Sequence, residues 1–160
     1  MNEQGLLFGW LEDLPEDNQA TAGSIISSPS TLTGDRGEHY FDFMCGENGI
    51  SILKYNCSNP KIDRVIETRS GEFKKIHIKT SNYKYHKRNG YGFGFLLFRH
   101  NKKHKTHADY FVCIGLWGNE RHVWWLPWDL HKDKTLLFLK CKSLRQYKKI
   151  PDDFLTEPRE

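Results

Sequence analysis

An acid, an imidazole and an ammonium group are predicted to meet at one end of a β-hairpin. The stretch 60–81, PKIDRVIETRSGEFKKIHIKTS, contains two alternating runs on either side of Arg69-Ser70-Gly71, and the glycine supplies the positive φ of a tight turn. If the turn is centred on Ser70, Asp63 lies opposite His77, and Lys79 follows on the same face. Directly opposed side chains lie about 5 Å apart at Cβ. The spacing therefore predicts one small polar site.

The other face of this hairpin is predicted to be buried. It carries the four isoleucines Ile62, Ile66, Ile76 and Ile78. Arg64 and Lys74 fall on the same apolar face, an irregularity that a β-bulge or a shifted turn would remove. The hairpin thus separates a core face from a face available for chemistry.

These residue types suit hydrolysis of a phosphodiester with the help of a divalent metal. Such chemistry needs hard oxygen ligands, an activated water and a cation near the charge that develops on phosphorus. Asp63 is a fitting ligand, Glu38 could bind the metal directly or through water, and the backbone carbonyl of Ile78 would add a third oxygen. Lys79 would stabilise charge or orient the attacking water. Mg²⁺ retains several waters, so this small set of donors suffices.

Glu38 has a second interpretation, because it also fits a helix start. Thr33-Gly34-Asp35 precedes a helical stretch, and Glu38 stands three residues after Asp35, as in a capping box. An apolar stripe of Tyr40, Phe41, Phe43 and Met44 follows, and Gly46 and Gly49 end the predicted helix. The residue is therefore either a cap or a site acid.

The charge distribution favours a polyanionic partner. The chain has 160 residues and a net charge of only +4, yet residues 72–107 contain ten lysines and arginines against one acid, Glu72. Tyrosines lie among these cations, as in surfaces that follow a nucleic-acid backbone. The alternative is a solvated loop that aids solubility. The predicted DNA contacts are Ser81, Tyr83, Lys84, Tyr85, Lys87, Arg88, Arg99, Lys102, Lys103 and Lys105.

Other classes of protein are disfavoured by the same sequence. No apolar run approaches the roughly 20 residues of a membrane span, and the first residues predict no secretory signal. The four scattered cysteines predict reduced, mostly buried thiols in a cytosolic protein. The spacing of His100, His104 and His107 would permit a zinc site, but a basic loop is the simpler interpretation.

The order of predicted elements gives one α/β domain, and the αβββαβ-type core expected for it is implied by the resemblance described below. Residues 1–34 are expected to form an appendage or linker and residues 35–160 the main domain. Strands are predicted at 50–55, 91–98, 109–117, 122–126 and 136–141, a polar loop at 82–90, and a turn or short helix at 127–130.

The site residues and these elements together resemble the PD-(D/E)XK nuclease superfamily, and most closely its compact homing endonucleases. The resemblance rests on Gly34-x-x-Gly37-Glu38, Asp63, His77-x-Lys79-Thr80-Ser81, Ala108-Asp109-Tyr110-Phe111 and Trp124-Trp125-Leu126-Pro127, and it covers about residues 33–139. It implies a restriction-endonuclease-like core with a central mixed sheet flanked by helices. It also implies that Glu38 is the helix acid, Asp63 the metal aspartate and Lys79 the motif lysine.

His77 is the departure from that pattern, because it stands where the family usually has Glu, Asp or Gln. A neutral imidazole is a poor ligand for Mg²⁺ but could bind Mn²⁺, orient water or contact phosphate. Pro60 also stands three residues before Asp63 instead of beside it. The resemblance implies a Mg²⁺-dependent, sequence-specific endonuclease of double-stranded DNA, cytoplasmic and nucleoid-associated when it acts, working as a homodimer or homotetramer. The alternatives are a Holliday-junction resolvase and a catalytically inactive DNA-binding module with the same fold.

Overall fold

The computed structural model describes residues 29–54, 62–87, 90–97, 108–142 and 144–155, without the side chains of Pro29, Ser30, Lys54 and Lys87. Residues 33–155 belong to one compact unit. The elements are α1 (Pro29–Glu47), β1 (Ile52–Lys54), β2 (Arg64–Glu67), β3 (Phe73–Ser81), β4 (Lys84–Lys87), β5 (Gly90–Leu96), β6 (Tyr110–Trp117), β7 (Glu120–Pro127), α2 (Trp128–His131) and β8 (Leu136–Lys140). Short 3₁₀ turns at Arg145–Tyr147 and Asp152–Phe154 follow.

The central element is a mixed five-stranded sheet with the order β1-β2-β3-β6-β7. The β3–β6 pair is parallel, and the other pairs are antiparallel. The β2–β3 hairpin has the predicted register, because Arg64 pairs with Ile76 and Glu67 with Phe73. Gly71 adopts φ +82° in the turn, as the sequence predicts.

Helix α1 covers one face of this sheet. Phe41 and Cys45 of the helix are fully buried against Ile66, Ile76, Val112 and Trp125, among others. The helix begins at Pro29, earlier than the predicted start at residues 33–35. Proline suits the first helical position because its missing N–H would have no partner there. The predicted appendage 1–34 therefore includes the start of α1, and its residues 1–28 lie outside the described residues.

A second sheet, not a helix, covers the opposite face, which corrects the expectation of a sheet flanked by helices. This antiparallel sheet has the order β4-β5-β8. Its buried residues Phe93, Phe95 and Leu139 pack on Phe111 and Trp124 of the large sheet. The two sheets approach closely because Gly115 has no side chain, and a Cβ there would lie 2.5 Å from the Phe93 ring.

Strand β4 falls within the stretch 82–90 that was predicted to be a loop. Lys84 pairs with Phe93, whose ring is buried, and Tyr85 pairs with Gly92 on the other face. The strand therefore has its long cation on the inner face and its aromatic ring on the outer face. This reversed alternation conceals the strand from an analysis of hydrophobic periodicity.

The other strands agree with their predicted positions to within about two residues at most ends, and α2 lies where a turn or short helix was expected. Cys45, Cys113 and Cys141 are buried free thiols, as predicted, and Cys57 lies outside the described residues. Burial raises the pKa of the Cys45 thiol to about 12. No helix in the described ranges is long and apolar enough to cross a membrane.

Candidate active site

The predicted acid and imidazole meet where strand β2 begins. Asp63 Oδ2 lies 3.2 Å from His77 Nδ1. The contact has no hydrogen-bond geometry, and this buried nitrogen has no hydrogen-bond partner among the described residues. The edge of the His77 ring faces the Phe111 ring at 5.7 Å between centroids, which limits how the imidazole can turn. The register predicted from the sequence has placed these two side chains correctly.

A local offset in the hairpin aims the Asp63 carboxylate. Arg64 pairs with Ile76, yet the N–H of Asp63 also donates to the Ile76 carbonyl at 2.9 Å. Two successive residues therefore face one residue of β3, which is the arrangement of a β-bulge. Oδ2 of Asp63 then accepts a 2.6 Å hydrogen bond from the N–H of Ile78. The carboxylate is fixed just before the first residue of β2 and remains 22% exposed.

Lys79 lies on the same face of β3 as His77. In the parallel register His77 is beside Phe111 and Lys79 beside Cys113, and both neighbours face the second sheet. Residues two apart on a strand are separated by about 6.6 Å. Lys79 is partly exposed.

Glu38 reaches the site from the other face of the sheet, through Arg64. The guanidinium Nη1 of Arg64 lies 3.0 Å from Glu38 Oε2 and donates a 2.7 Å hydrogen bond to the backbone carbonyl of Asp63. Because both contacts are made by the same nitrogen, Glu38 Oε2 and the Asp63 carbonyl oxygen are no farther apart than the sum of these two distances. Glu38 approaches the backbone of Asp63, but a fixed cation stands between them.

Asp42 completes this network and was not predicted from the sequence. It accepts two hydrogen bonds from Arg64, from Nε at 2.7 Å and from Nη2 at 3.0 Å. Hydrogen bonding to Asp42 raises the pKa of Arg64. Arg64 is 6% exposed and pairs with both carboxylates, whose side chains are 19% exposed at Asp42 and 38% exposed at Glu38. This ion-pair network explains why Arg64 lies on the apolar face of the hairpin. From there its side chain contacts Glu38 and Asp42, which are one helical turn apart on α1.

The helix can approach the strand closely at Gly37, next to Glu38. A Cβ at Gly37 would lie 1.8 Å from Thr80 Oγ1 and 2.7 Å from Thr80 Cβ. Nearby, Asn82 Nδ2 donates a 3.1 Å hydrogen bond to Thr33 Oγ1. These contacts fix the height of α1 over β3, and they hold Glu38 beside the hairpin.

Asp109 has a structural role at the start of β6. Its carboxylate accepts a 2.7 Å hydrogen bond from the N–H of Lys75, and its own N–H donates to the Lys75 carbonyl at 2.8 Å. Its carbonyl accepts from the N–H of Trp128 at 3.0 Å. Asp109 thereby sets the parallel register that places Lys79 beside Cys113.

The predicted DNA contacts fall into three groups. Ser81 is buried, and its hydroxyl interacts with the backbone of Tyr83, which disfavours the predicted contact with DNA. Lys84 is also misassigned, because its ammonium group pairs with Glu120 at 2.8 Å, lies 3.8 Å from the centre of the Tyr91 ring, and leaves the side chain 9% exposed. Ser81 instead stabilises the connection between β3 and β4, whereas Lys84 connects β4 to β5 and β7.

The second group is placed where a ligand could reach it. Tyr83 is 46% exposed. Tyr85 packs between Tyr83 and Phe138 at 6.1 and 5.9 Å between ring centroids, on the outer face of the small sheet. In the third group the side chain of Lys87 is not described, and Arg88, Arg99, Lys102, Lys103 and Lys105 lie outside the described residues, as do His100, His104 and His107.

Metal ligation here would depend on few side chains. No cluster of three or more His, Cys, Asp or Glu suited to a metal occurs within residues 29–54, 62–87, 90–97, 108–142 and 144–155. A site at Asp63 would therefore need backbone or water oxygens beside its carboxylate. The predicted ligand set of Asp63, Glu38 and the Ile78 carbonyl remains a prediction.

The comparisons with known proteins support the fold. No family model matches the sequence, and no curated protein matches it. Among solved structures, the chain is similar to a bacterial homing endonuclease, I-Ssp6803I, with a TM-score of 0.53 and 18% sequence identity, over 79% of this chain and 86% of that one. The chain therefore shares the fold of a bacterial homing endonuclease.

Proposed function

We propose that the protein is a divalent-metal-dependent endonuclease that hydrolyses phosphodiester bonds in double-stranded DNA, with its active site at Asp63. The observation that carries this proposal is the Asp63 carboxylate itself. Its Oδ2 accepts a 2.6 Å hydrogen bond from the N–H of Ile78 and lies 3.2 Å from His77 Nδ1. Lys79 lies two residues after His77, on the same face of β3. The shared fold adds weight, because the similar solved protein is named as an endonuclease.

The residues around Asp63 fit a hard cation such as Mg²⁺. Asp63 would bind it directly, and the Ile78 carbonyl would serve as a neutral oxygen ligand. Within a strand the N–H and C=O of one residue point to the same side, and the Ile78 N–H points toward Asp63. Glu38 uses Oε2 in its contact with Arg64, and it would contribute through water. A bound Mg²⁺ would lower the pKa of water and neutralise charge on the phosphate.

Each side chain then has a separate task in hydrolysis. Water attacks phosphorus, the bond to the leaving oxygen breaks, and negative charge grows on the non-bridging oxygens. Lys79 stabilises that charge with its ammonium group. His77 orients the attacking water and can accept its proton, since a neutral imidazole has one unprotonated nitrogen. Mn²⁺ is a second candidate ion because imidazole is an acceptable ligand for it.

DNA binding would use the outer face of the small sheet together with cations of the basic stretch 72–107. Tyr83 and Tyr85 offer rings for stacking, and Lys87 belongs to the same strand as Tyr85. Phosphate contacts should make affinity depend strongly on salt. One active site cuts one strand, so a double-strand cutter of this size would act as a homodimer or homotetramer. Sequence-specific recognition and a cytoplasmic, nucleoid-associated location belong to this proposal.

The test is nicking of supercoiled plasmid in Mg²⁺ or Mn²⁺, compared with EDTA. We expect Asp63→Asn and Lys79→Met to reduce the cutting rate by about 100-fold or more, as loss of one charge-stabilising group does in other enzymes. DNA binding without metal should change little. The matched controls are Asp152→Asn and Lys149→Met, which break an exposed ion pair of 2.8 Å and should cut normally.

Three other outcomes would redirect the proposal. Undiminished cutting by both site variants would refute the assignment of Asp63 and Lys79. Strong DNA binding without cutting in any metal would favour an inactive binding module, with His77 as the disabling residue. Cutting of a four-way junction in preference to linear duplex would favour a Holliday-junction resolvase.

A further inference from the structure

We infer that Arg64, supported by Asp42, is a positioning residue that prepares Glu38 and Asp63 for the metal. The inference rests on the proposed function, since it concerns the same site. Arg64 directly follows the proposed ligand in sequence, yet its side chain points to the opposite face of the sheet. It is therefore the group that connects the two acids across the sheet.

Every nitrogen of the Arg64 guanidinium has a partner. Nη1 contacts Glu38 Oε2 at 3.0 Å and the Asp63 carbonyl at 2.7 Å, while Nε and Nη2 bind the two oxygens of Asp42. The bidentate pair with Asp42 fixes the plane of the guanidinium. That plane in turn fixes the backbone of Asp63 and the carboxylate of Glu38.

The charges give this network a second consequence. Glu38 and Asp42 are four residues apart on α1, so they are neighbours on one helical face and repel each other. The buried Arg64 offsets part of this repulsion, while the side chain of Glu38 remains 38% exposed. Arg64 also occupies the space between Glu38 and the Asp63 backbone, where another cation would otherwise be favoured. We therefore expect one divalent ion, which would bind on the Asp63 side of the guanidinium.

The arrangement differs from an ordinary structural salt bridge in one respect. A structural pair needs only charge balance, which Asp42 alone would provide in its bidentate contact. The additional bonds to Glu38 and to the Asp63 carbonyl involve the acid and the backbone of the proposed metal site. The orientation of these groups should therefore depend on the planar fork of arginine, and lysine should not replace it.

The experiment measures binding of Mn²⁺ directly, by electron paramagnetic resonance of the unbound ion. For the wild-type protein we expect one bound ion. For Arg64→Lys, which keeps the charge, and for Arg64→Met, the dissociation constant should rise about 10- to 100-fold, the usual effect of losing a group that orients a ligand. Asp42→Asn should show a smaller loss in the same direction. Circular dichroism checks that each variant is folded.

The matched control is Arg69→Met. Arg69 belongs to the same hairpin, at its turn, and also donates to a backbone carbonyl, that of Leu155, at 2.9 and 3.1 Å. Its loss should cost stability and leave the dissociation constant for Mn²⁺ unchanged. Equal weakening by Arg69→Met would show that the effect of Arg64 is merely one of stability, and would overturn the inference.

The outcomes separate this inference from the proposed function. If the wild-type protein cuts DNA and binds Mn²⁺ but Arg64→Lys binds it equally well, the positioning role is wrong and the enzyme assignment stands. Two bound ions in the wild-type protein would refute the single-ion claim. If the wild-type protein neither binds Mn²⁺ nor cuts DNA, the proposed function fails, and the inference fails with it.

Discussion

Gly37 is the residue at which a single methyl group should displace the helix acid. It is buried where α1 meets β3, and an added Cβ would lie 1.8 Å from Oγ1 and 2.7 Å from both Cβ and Cγ2 of Thr80. Carbon atoms in ordinary contact are about 3.5–4.0 Å apart, so the helix must retreat by about 1 Å. Rotation of Thr80 cannot relieve the contact with its Cβ. Glu38 is the next residue and must move with the helix.

The size of the effect on stability follows from a matched pair of variants. Alanine favours a helix over glycine by about 1 kcal/mol, and overpacking costs about 1–3 kcal/mol. Gly34 lies in the same helix with nothing within 4 Å of an added Cβ, so Gly34→Ala should stabilise the protein. Because both variants gain the same propensity term, Gly37→Ala should be less stable than Gly34→Ala by about 1–3 kcal/mol.

The assay combines chemical denaturation with the cleavage rate. A displacement of about 1 Å at a reacting group can cost about 100-fold in rate, so Gly37→Ala should cut poorly, whereas Gly34→Ala should cut normally. Thr80→Gly removes all three contacted atoms and should restore part of the stability lost in Gly37→Ala. Equal stability of Gly34→Ala and Gly37→Ala would refute the packing of α1 on β3 described above.

Two further predictions concern Lys84 and His122, which both pair with Glu120. Lys84→Met should lower the free energy of unfolding, because it removes the 2.8 Å ion pair with Glu120. The salt dependence of DNA binding should not change, and a weaker salt dependence would show that Lys84 contacts DNA. Burial lowers the pKa of His122 in the folded protein below its ordinary value near 6.5. Below that pH the unfolded chain therefore binds a proton at His122 more readily than the folded protein does. Stability should be complete above that pH and decline as pH falls through the lower folded-state pKa, and denaturation curves of His122→Gln between pH 7 and 5 should show a weaker decline.

The hairpin and its site residues were predictable because local rules fix them. The Gly71 turn sets the register, and alternation then separates Ile76 and Ile78 from His77 and Lys79. The short contact of Asp63 with His77 follows from that register without knowledge of the rest of the fold. Where turn geometry and a period of two agree, the sequence determines which side chains meet.

The role of Arg64 was not predictable from the hairpin alone. An arginine on an apolar face conflicts with alternation, and its partners Glu38 and Asp42 come from a helix 22 or more residues earlier. A buried arginine requires an acid, which is a signal that the sequence does contain. The spacing of two acids by four residues on one helix would have been the place to look.

The second sheet was missed for a different physical reason. In β4 the inner position is taken by Lys84, whose ammonium nitrogen lies 3.8 Å from the centre of the Tyr91 ring and 2.8 Å from Glu120. Long side chains of this kind bury their carbon atoms and keep a polar end, so hydrophobicity alone assigns them to the surface.

The most direct test of the account is a crystal of the protein grown with Mn²⁺, examined by anomalous diffraction. The account predicts one anomalous peak in contact with the Asp63 carboxylate, near the Ile78 carbonyl, and no such peak in Asp63→Asn crystals grown in the same way. A peak on a histidine cluster elsewhere, or none at Asp63 in crystals of a protein that still cleaves DNA, would contradict the claim that this carboxylate holds the catalytic ion.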